Sequence, residues 1–264
     1  MTITLAAEAA VLMHELQNER STAVVALGSV GEESRDAFEA QVKATAGAVA
    51  RYQERQAELA EDATPALGER VDRIQVMLAD LPGTQEQIIK GPALAITVVT
   101  ARYTVLIKDL LDIRDEAVAT AGDRDLRNDL LAVGALATLK EAVSAERFVV
   151  LSMLSRKTLT STGRRELQTT SIRQDIAKQA FVNAASPWQR GQYNQFVTGP
   201  DVRAAFQFRG AVESFIDSQT AGDEQFPEDL LDVYQWDSAL AGKSNLLRDT
   251  ESVIDQRIVA GVGS

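Results

Sequence analysis

Leu16-Gln17-Asn18-Glu19-Arg20-Ser21-Thr22-Ala23-Val24-Val25-Ala26-Leu27 sets a charged pair, Glu19-Arg20, inside an apolar run. Val143-Ser144-Ala145-Glu146-Arg147-Phe148-Val149-Val150-Leu151-Ser152-Met153-Leu154 sets a second one nearly half a chain length later. Outward from Arg20, the residues Ala6, Ala9, Met13, Leu16, Ala23, Leu27 and Val30 recur at alternating steps of three and four. That spacing marks one face of an α-helix packed on another helix, and Arg20 is the only charged member of the seam. Leu136, Val143, Val150 and Leu154 repeat the theme around Arg147, with Lys140 the exception. A guanidinium keeps its charge inside a protein, so one on a seam needs an anionic partner or a route to water.

Two roles suit such arginines. Each could pair with a glutamate on a neighbouring helix, as a buried device for specificity. Alternatively, Arg20 and Arg147 could face one another across a bundle and share a small anion, since a planar fork of N–H donors matches a planar oxyanion. An anion between two such cations removes their repulsion and favours the closed arrangement.

The rest of the chain agrees with helices. It has 264 residues, 45 % hydrophobic and 25 % charged, with only 5 % aromatic and 6 prolines, a mix that favours long helices over sheets. Helices are predicted over 2–29, 33–62 and from Thr64-Pro65 to a stop at Leu81-Pro82-Gly83. Thr84 and Gln87 make a capping-box-like restart, and Pro92 breaks the pattern. Further helices are expected over 93–121, over 124–160 after an Asp123 cap and before Thr162-Gly163, and over 164–185 through Leu167, Ile172, Ile176 and Phe181. Ser186-Pro187 starts a short one to Val197, and 201–219 and 228–260 complete the set. The last carries Val233, Leu240, Leu247 and Ile254 at steps of seven, a coiled-coil-like stripe. The fold class is all-α, as two packed four-helix-bundle-like units within a single domain over 1–264.

Composition excludes several functions. A net charge of −11 repels phosphate backbones, so no nucleic-acid partner is expected. Absence of cysteine excludes thiolate metal sites and cysteine nucleophiles, and His14 as the sole histidine leaves little for histidine-based catalysis or zinc. Walker, G-x-G-x-x-G, H-E-x-x-H and G-x-S-x-G motifs are missing, so no catalytic residue and no cofactor is predicted. His14 reads as a satisfied boundary histidine, and Trp188 and Trp236 as packing anchors. No run reaches about 18 apolar residues, so no transmembrane helix is predicted. The helical pattern runs to both ends, and both are expected to be cut points within a longer chain.

The motif Leu16-Gln17-Asn18-Glu19-Arg20-Ser21, the second pair Glu146-Arg147, and Tyr103 with Leu106, Leu110 and Leu111 between them resemble the nitrate- and nitrite-sensing (NIT) domain family over about residues 10–220. The tail, with Trp236-Asp237-Ser238-Ala239-Leu240, Leu246-Leu247-Arg248 and Val253-Ile254, looks like the segment before the second membrane span of actinobacterial histidine kinases that carry this domain. The resemblance implies helical bundles and a receptor's input domain: the extracytoplasmic part of a histidine kinase or chemoreceptor, or part of an RNA-binding antiterminator. It implies nitrate or nitrite held by arginines in a cleft between helices. Arg20 matches the first motif arginine and Arg147 a second position, with Glu19 and Glu146 supporting them; Arg102, Arg173 and Arg203 compete with Arg147. Ser21 departs from the glycine common at that position. The expected protein is thus the extracellular sensor of a membrane-bound kinase, homodimeric, with the kinase module in the same full-length chain. The alternative is a helical interaction or dimerisation scaffold without a small ligand.

Overall fold

Alanine-rich, amphipathic segments with strong caps produce long helices. The structure, a computed structural model, describes residues 2–28, 32–58, 63–91, 95–218 and 224–262. Among them run α1 (Thr2–Gly28), α2 (Glu32–Ala57), α3 (Pro65–Lys90), α4 (Ile96–Ala119), α5 (Arg124–Arg156), α6 (Ser161–Ala184), α7 (Pro187–Phe196), α8 (Pro200–Ser218) and α9 (Val233–Val262). Two-residue strands β1 (Thr158–Leu159) and β2 (Glu224–Gln225) pair antiparallel at one edge. The fold is all-α, as its periodicity predicts. Asp123 Oδ1 accepts from Asp125 and Leu126 N–H groups at the start of α5, and Ser186, Pro187 and Gln189 form a full capping box on α7.

α1 packs on α2 and α4, and α3 leans on α4 and α2, which makes one four-helix unit. α5 packs on α6 and α9, and α8 on α9, which makes the second; α7 braces α9. Contacts of α1 and α4 with α5 join the two units. At about 1.5 Å per residue, the 33 residues of α5 span about 50 Å and reach both apolar cores. Its first half belongs to the core that holds Leu12, Tyr103 and Leu247, and its last turns to the core that holds Val212, Trp236 and Leu240. On α9, Leu240, Leu247 and Ile254 are buried in the chain's own core and Val233 is half-buried, so the seven-residue stripe is already occupied.

Four predicted features come out differently. α3 runs straight through Pro82-Gly83 to Lys90. An interior proline costs about 3 kcal/mol, but continuing the helix buries Leu81 and Ile88, each worth about 1.5–3 kcal/mol, and keeps Thr84 inside. Thr84 is therefore no N-cap; its Oγ1 accepts from Arg102 Nη1 at 2.8 Å and ties α3 to α4. α5 ends at Arg156 rather than 160, because Lys157 turns left-handed (φ 54°) and Thr160 caps α6 by accepting from Gly163 N–H. Gly163 lies inside α6 because a Cβ there would sit 2.6 Å from Met153 Sδ. Ile172 and Ile176 of α6 face solvent, 59 % and 65 % exposed. The buried face is Thr170, Gln174, Ala177 and Phe181, because Gln174 is claimed by charged groups on α5 and α8. Residues 228–230 form a 3-10 turn, and α9 begins only at Val233. Val30 and Pro92 lie outside the described residues.

Candidate functional site

The seam on α1 turns Arg20 into the junction with α5, where its side chain is 1 % exposed. Nη1 donates to Glu141 Oε1 at 2.9 Å, and Nη2 donates to Glu141 Oε2 at 3.3 Å. Nη2 also donates to Ser144 Oγ at 2.9 Å and Nη1 to Thr104 Oγ1 at 3.2 Å. Three donations thus go to α5 and one to α4. Nε is buried and meets no acceptor. The Phe148 ring lies 5.8 Å from the guanidinium carbon. Gln17 Nε2 holds the far side of Glu141, 2.7 Å from Oε2.

Arg147 reaches the other way. Nε and Nη2 donate to the Asp237 carboxylate of α9 at 2.6 and 3.1 Å, and Nη1 donates to Asn18 Oδ1 of α1 at 2.8 Å. The two motifs interlock: Arg147 bonds Asn18, and Arg20 lies against Phe148. Each guanidinium is closed by a carboxylate of its own, and they share no hydrogen-bond partner among the described residues. Of the competing arginines, Arg102 bonds Thr84, while Arg173 and Arg203 are exposed.

The glutamates of the motifs face away from their own arginines. Glu19 accepts from Tyr103 Oη at 2.6 Å and Gln85 Nε2 at 2.8 Å. Burial pushes its carboxyl above the ordinary range, and the donors around it offset this only in part. Burial also holds the Tyr103 phenol well above its usual value, and the neighbouring Glu19 adds to this. Glu146 accepts from Arg209 Nε and Nη2 at 2.8 and 2.6 Å and from Gln174 Nε2 at 2.7 Å. These partners, and Glu141, Ser144, Thr104 and Asp237 around the arginines, were invisible as partners in the sequence. Asn18, Tyr103, Ser144 and Asp237 stand inside the quoted motifs. Glu141, one turn before Ser144 on the same face, was the available clue.

A cleft of about 710 Å³ opens between α4, the last turns of α5 and the first turn of α6. Thr104 and Phe148, both against Arg20, form part of its wall, and Thr97, Ser152, Arg156 and Thr162 line it further. Its lining is hydroxyl-rich and carries one cation, Arg156, and one carboxylate, Glu166.

A second charged cluster lies deeper. Arg114 of α4 donates to Glu251 at 2.8 Å and to both Asp255 oxygens at 2.9 and 2.8 Å, and Lys140 of α5 donates to Glu251 at 2.5 Å. Burial lowers the Lys140 ammonium to about 8 although Glu251 opposes it. Burial alone would raise Glu251, but Lys140, Arg114 and Arg248 hold it well below the usual carboxylate range. His14 of α1 is lowered to about 3, by burial first and then by Lys140 and Arg248.

The fold also occurs in a transcription antiterminator. The chain superposes on the structure of the NasR transcription antiterminator with a TM-score of 0.87 at 19 % identity, covering 98 % of this chain and 68 % of that one. No curated protein matches its sequence. The family pattern for nitrate and nitrite sensing matches residues 11–259, and the chain belongs to that family.

Proposed function

We propose that the chain senses nitrate or nitrite at the α1–α5 junction, with Arg20 and Arg147 as the ligand-binding arginines and Glu19 and Glu146 in support. The observation that carries this reading is Arg20: a buried planar fork, already gripping a planar carboxylate, with Nε unspent, behind the Thr104 and Phe148 wall of a hydroxyl-lined cleft. Glu19 and Glu146 hold the helices around the two arginines through Tyr103 and Arg209. Occupancy passes to α9 through α5, which grips it at Arg147–Asp237 and Lys140–Glu251. A ligand shifts such an arrangement only by binding two states unequally, and tenfold discrimination corresponds to about 1.4 kcal/mol.

In the whole protein, we place the domain on the extracellular face of a membrane-bound sensor histidine kinase, acting as a homodimer with the kinase in the same chain. Two facts support this: the tail resembles a segment that precedes a membrane span, and the first turns of α1 (Thr4, Glu8) run beside the last turns of α9 (Gln256, Val259). Among the described residues no helix is long and apolar enough to cross a membrane. The gene's flanking sequence tests this placement: apolar spans of about 20 residues on both sides support it, and their absence favours a module of the antiterminator kind.

The competing reading is a helical scaffold without a small ligand. It is favoured by the carboxylate on each arginine, since such pairs also serve as packing devices. Calorimetric titration of nitrate and nitrite into wild type, Arg20→Ala and Arg147→Ala separates the two. Sensing predicts binding heat that Arg20→Ala abolishes and Arg147→Ala weakens by at least about tenfold. Heat that neither substitution changes removes both arginines from the site.

A further inference from the structure

Glu141 stands where a ligand would stand. It meets Arg20 with both oxygens, end-on, as a planar oxyanion would. Its side chain is 20 % exposed whereas that of Arg20 is 1 % exposed, so the carboxylate comes from the solvent side and can return to water. Arg20 cannot. The guanidinium is also held by Ser144, Thr104 and the Phe148 ring, none of which carries charge.

We infer that Glu141 is a tethered competitor for the anion: it fills the Arg20 fork in the ligand-free domain, and the ligand binds by displacing it. The inference rests on the reading that Arg20 binds the ligand, and it adds what sets the affinity. A buried guanidinium left without an anion is strongly destabilising, so an unoccupied site needs a substitute charge. The same charge then opposes the ligand, and the measured affinity is the difference between the two.

The substitute is incomplete, and its gap names the ligand class. Glu141 reaches Nη1 and Nη2 but leaves the buried Nε–H without an acceptor. Gln17 Nε2 gives one of its two hydrogens to Glu141. A free anion is not held by a side-chain tether. It can lie against the Nε–Nη2 edge and still accept from the Ser144 hydroxyl and from Gln17 Nε2, while Thr104 spends its own hydrogen on the Thr100 carbonyl. The class is a small planar monoanion with two or three oxygens, and a third oxygen gives nitrate one acceptor more than a carboxylate. When it binds, Glu141 swings to the rim and α5 loses a link to α1, which makes displacement itself the first step of the signal.

The test uses calorimetry of nitrate into the wild-type domain, Glu141→Gln, Glu141→Asp and the double variant Arg20→Ala/Glu141→Gln, with thermal melts in formate. Glu141→Gln keeps the shape and removes the charge; it is expected to bind nitrate about ten- to a hundredfold more tightly than wild type. Glu141→Asp keeps the charge on a shorter arm, keeps the fold, and should bind with an intermediate gain. The double variant should lose binding. Formate should raise the melting temperature of Glu141→Gln more than that of wild type, because it replaces the missing carboxylate. A weakly binding wild type beside a much tighter Glu141→Gln supports the inference most strongly. If wild type binds and Glu141→Gln and Glu141→Asp bind equally or more weakly, Glu141 helps to hold the ligand, and the inference falls while the sensing role of Arg20 stands. If no variant binds and formate protects none, both fall together.

Discussion

Two buried arginines, Arg20 and Arg114, face α5 and α9 respectively with the same chemistry and opposite freedom. Arg114 meets Glu251 and Asp255, and Glu251, 0 % exposed, is also gripped by Lys140, itself 0 % exposed. Glu251 and Lys140 cannot reach water without opening α4, α5 and α9, although Asp255 edges a surface cleft. At Arg20 the cation is equally deep, but its carboxylate lies on the rim. Burial of the acid, not of the base, thus separates a lock from a site. A locked pair fixes how helices register, and its desolvation consumes most of its Coulombic gain. A rim carboxylate can be exchanged for a solute, and exchange is what a sensor needs.

Breaking each arrangement should expose that difference. Glu251→Gln leaves Lys140 and Arg248 facing no charge in the core and should cost about 3–5 kcal/mol in urea unfolding. Arg20→Ala leaves Glu141 free to turn to water and should cost less, about 1–2 kcal/mol, by the same measurement. If Arg20→Ala proves the more damaging of the two, the rim carboxylate is not free and the distinction fails.

His14 sits between the regions, and protonating it would add a cation beside Lys140, Arg248 and Arg147. Its pKa is depressed in the folded state, from the ordinary value near 6.5 to about 3. The neutral form is therefore the folded one. Its contribution to stability is complete above about pH 6.5 and is lost as pH falls towards 3. Glu251 loses its own contribution only below the usual carboxylate range, whereas Glu19, raised by burial, acts above that range with the opposite sign, so the His14 part of the limb is read as the difference between wild type and a His14 variant. His14→Gln should flatten that limb in pH-dependent thermal melts; an unchanged limb would mean the imidazole charges without penalty.

The smallest expected effect lies away from both regions. Pro82→Ala restores a backbone donor inside α3 and should stabilise by about 1 kcal/mol. A loss instead would show that the proline bends α3 into its packing on α4.

Much of the fold was legible in advance. Asp123, Ser186-Pro187 and the seam from Ala6 to Ala23 act locally, within a turn or two, and such signals survive folding unchanged. Pro82-Gly83 misled because its local penalty is smaller than the apolar burial it would forfeit, and burial is a tertiary quantity. Ile172 and Ile176 misled for the converse reason: hydrophobic residues are tolerated on surfaces, whereas Gln174 had a buried charge to satisfy. At the site, the deep cations Arg20 and Arg147 stand out in the sequence because charge is costly on a seam. Their anions do not, since Glu141 and Asp237 look like any solvated carboxylates.

The amino-acid sequence by itself determined the all-helical class, the caps, the seams and the two out-of-place arginines, because each depends on spacing along one helix. Only the tertiary structure decided that Arg20 closes on Glu141 and Arg147 on Asp237, that Glu19 turns to Tyr103 and Glu146 to Arg209, and that the α9 stripe is spent on the chain's own core. Helix periodicity says which face is buried but not which neighbour buries it, and the partner of a buried charge is chosen by that neighbour.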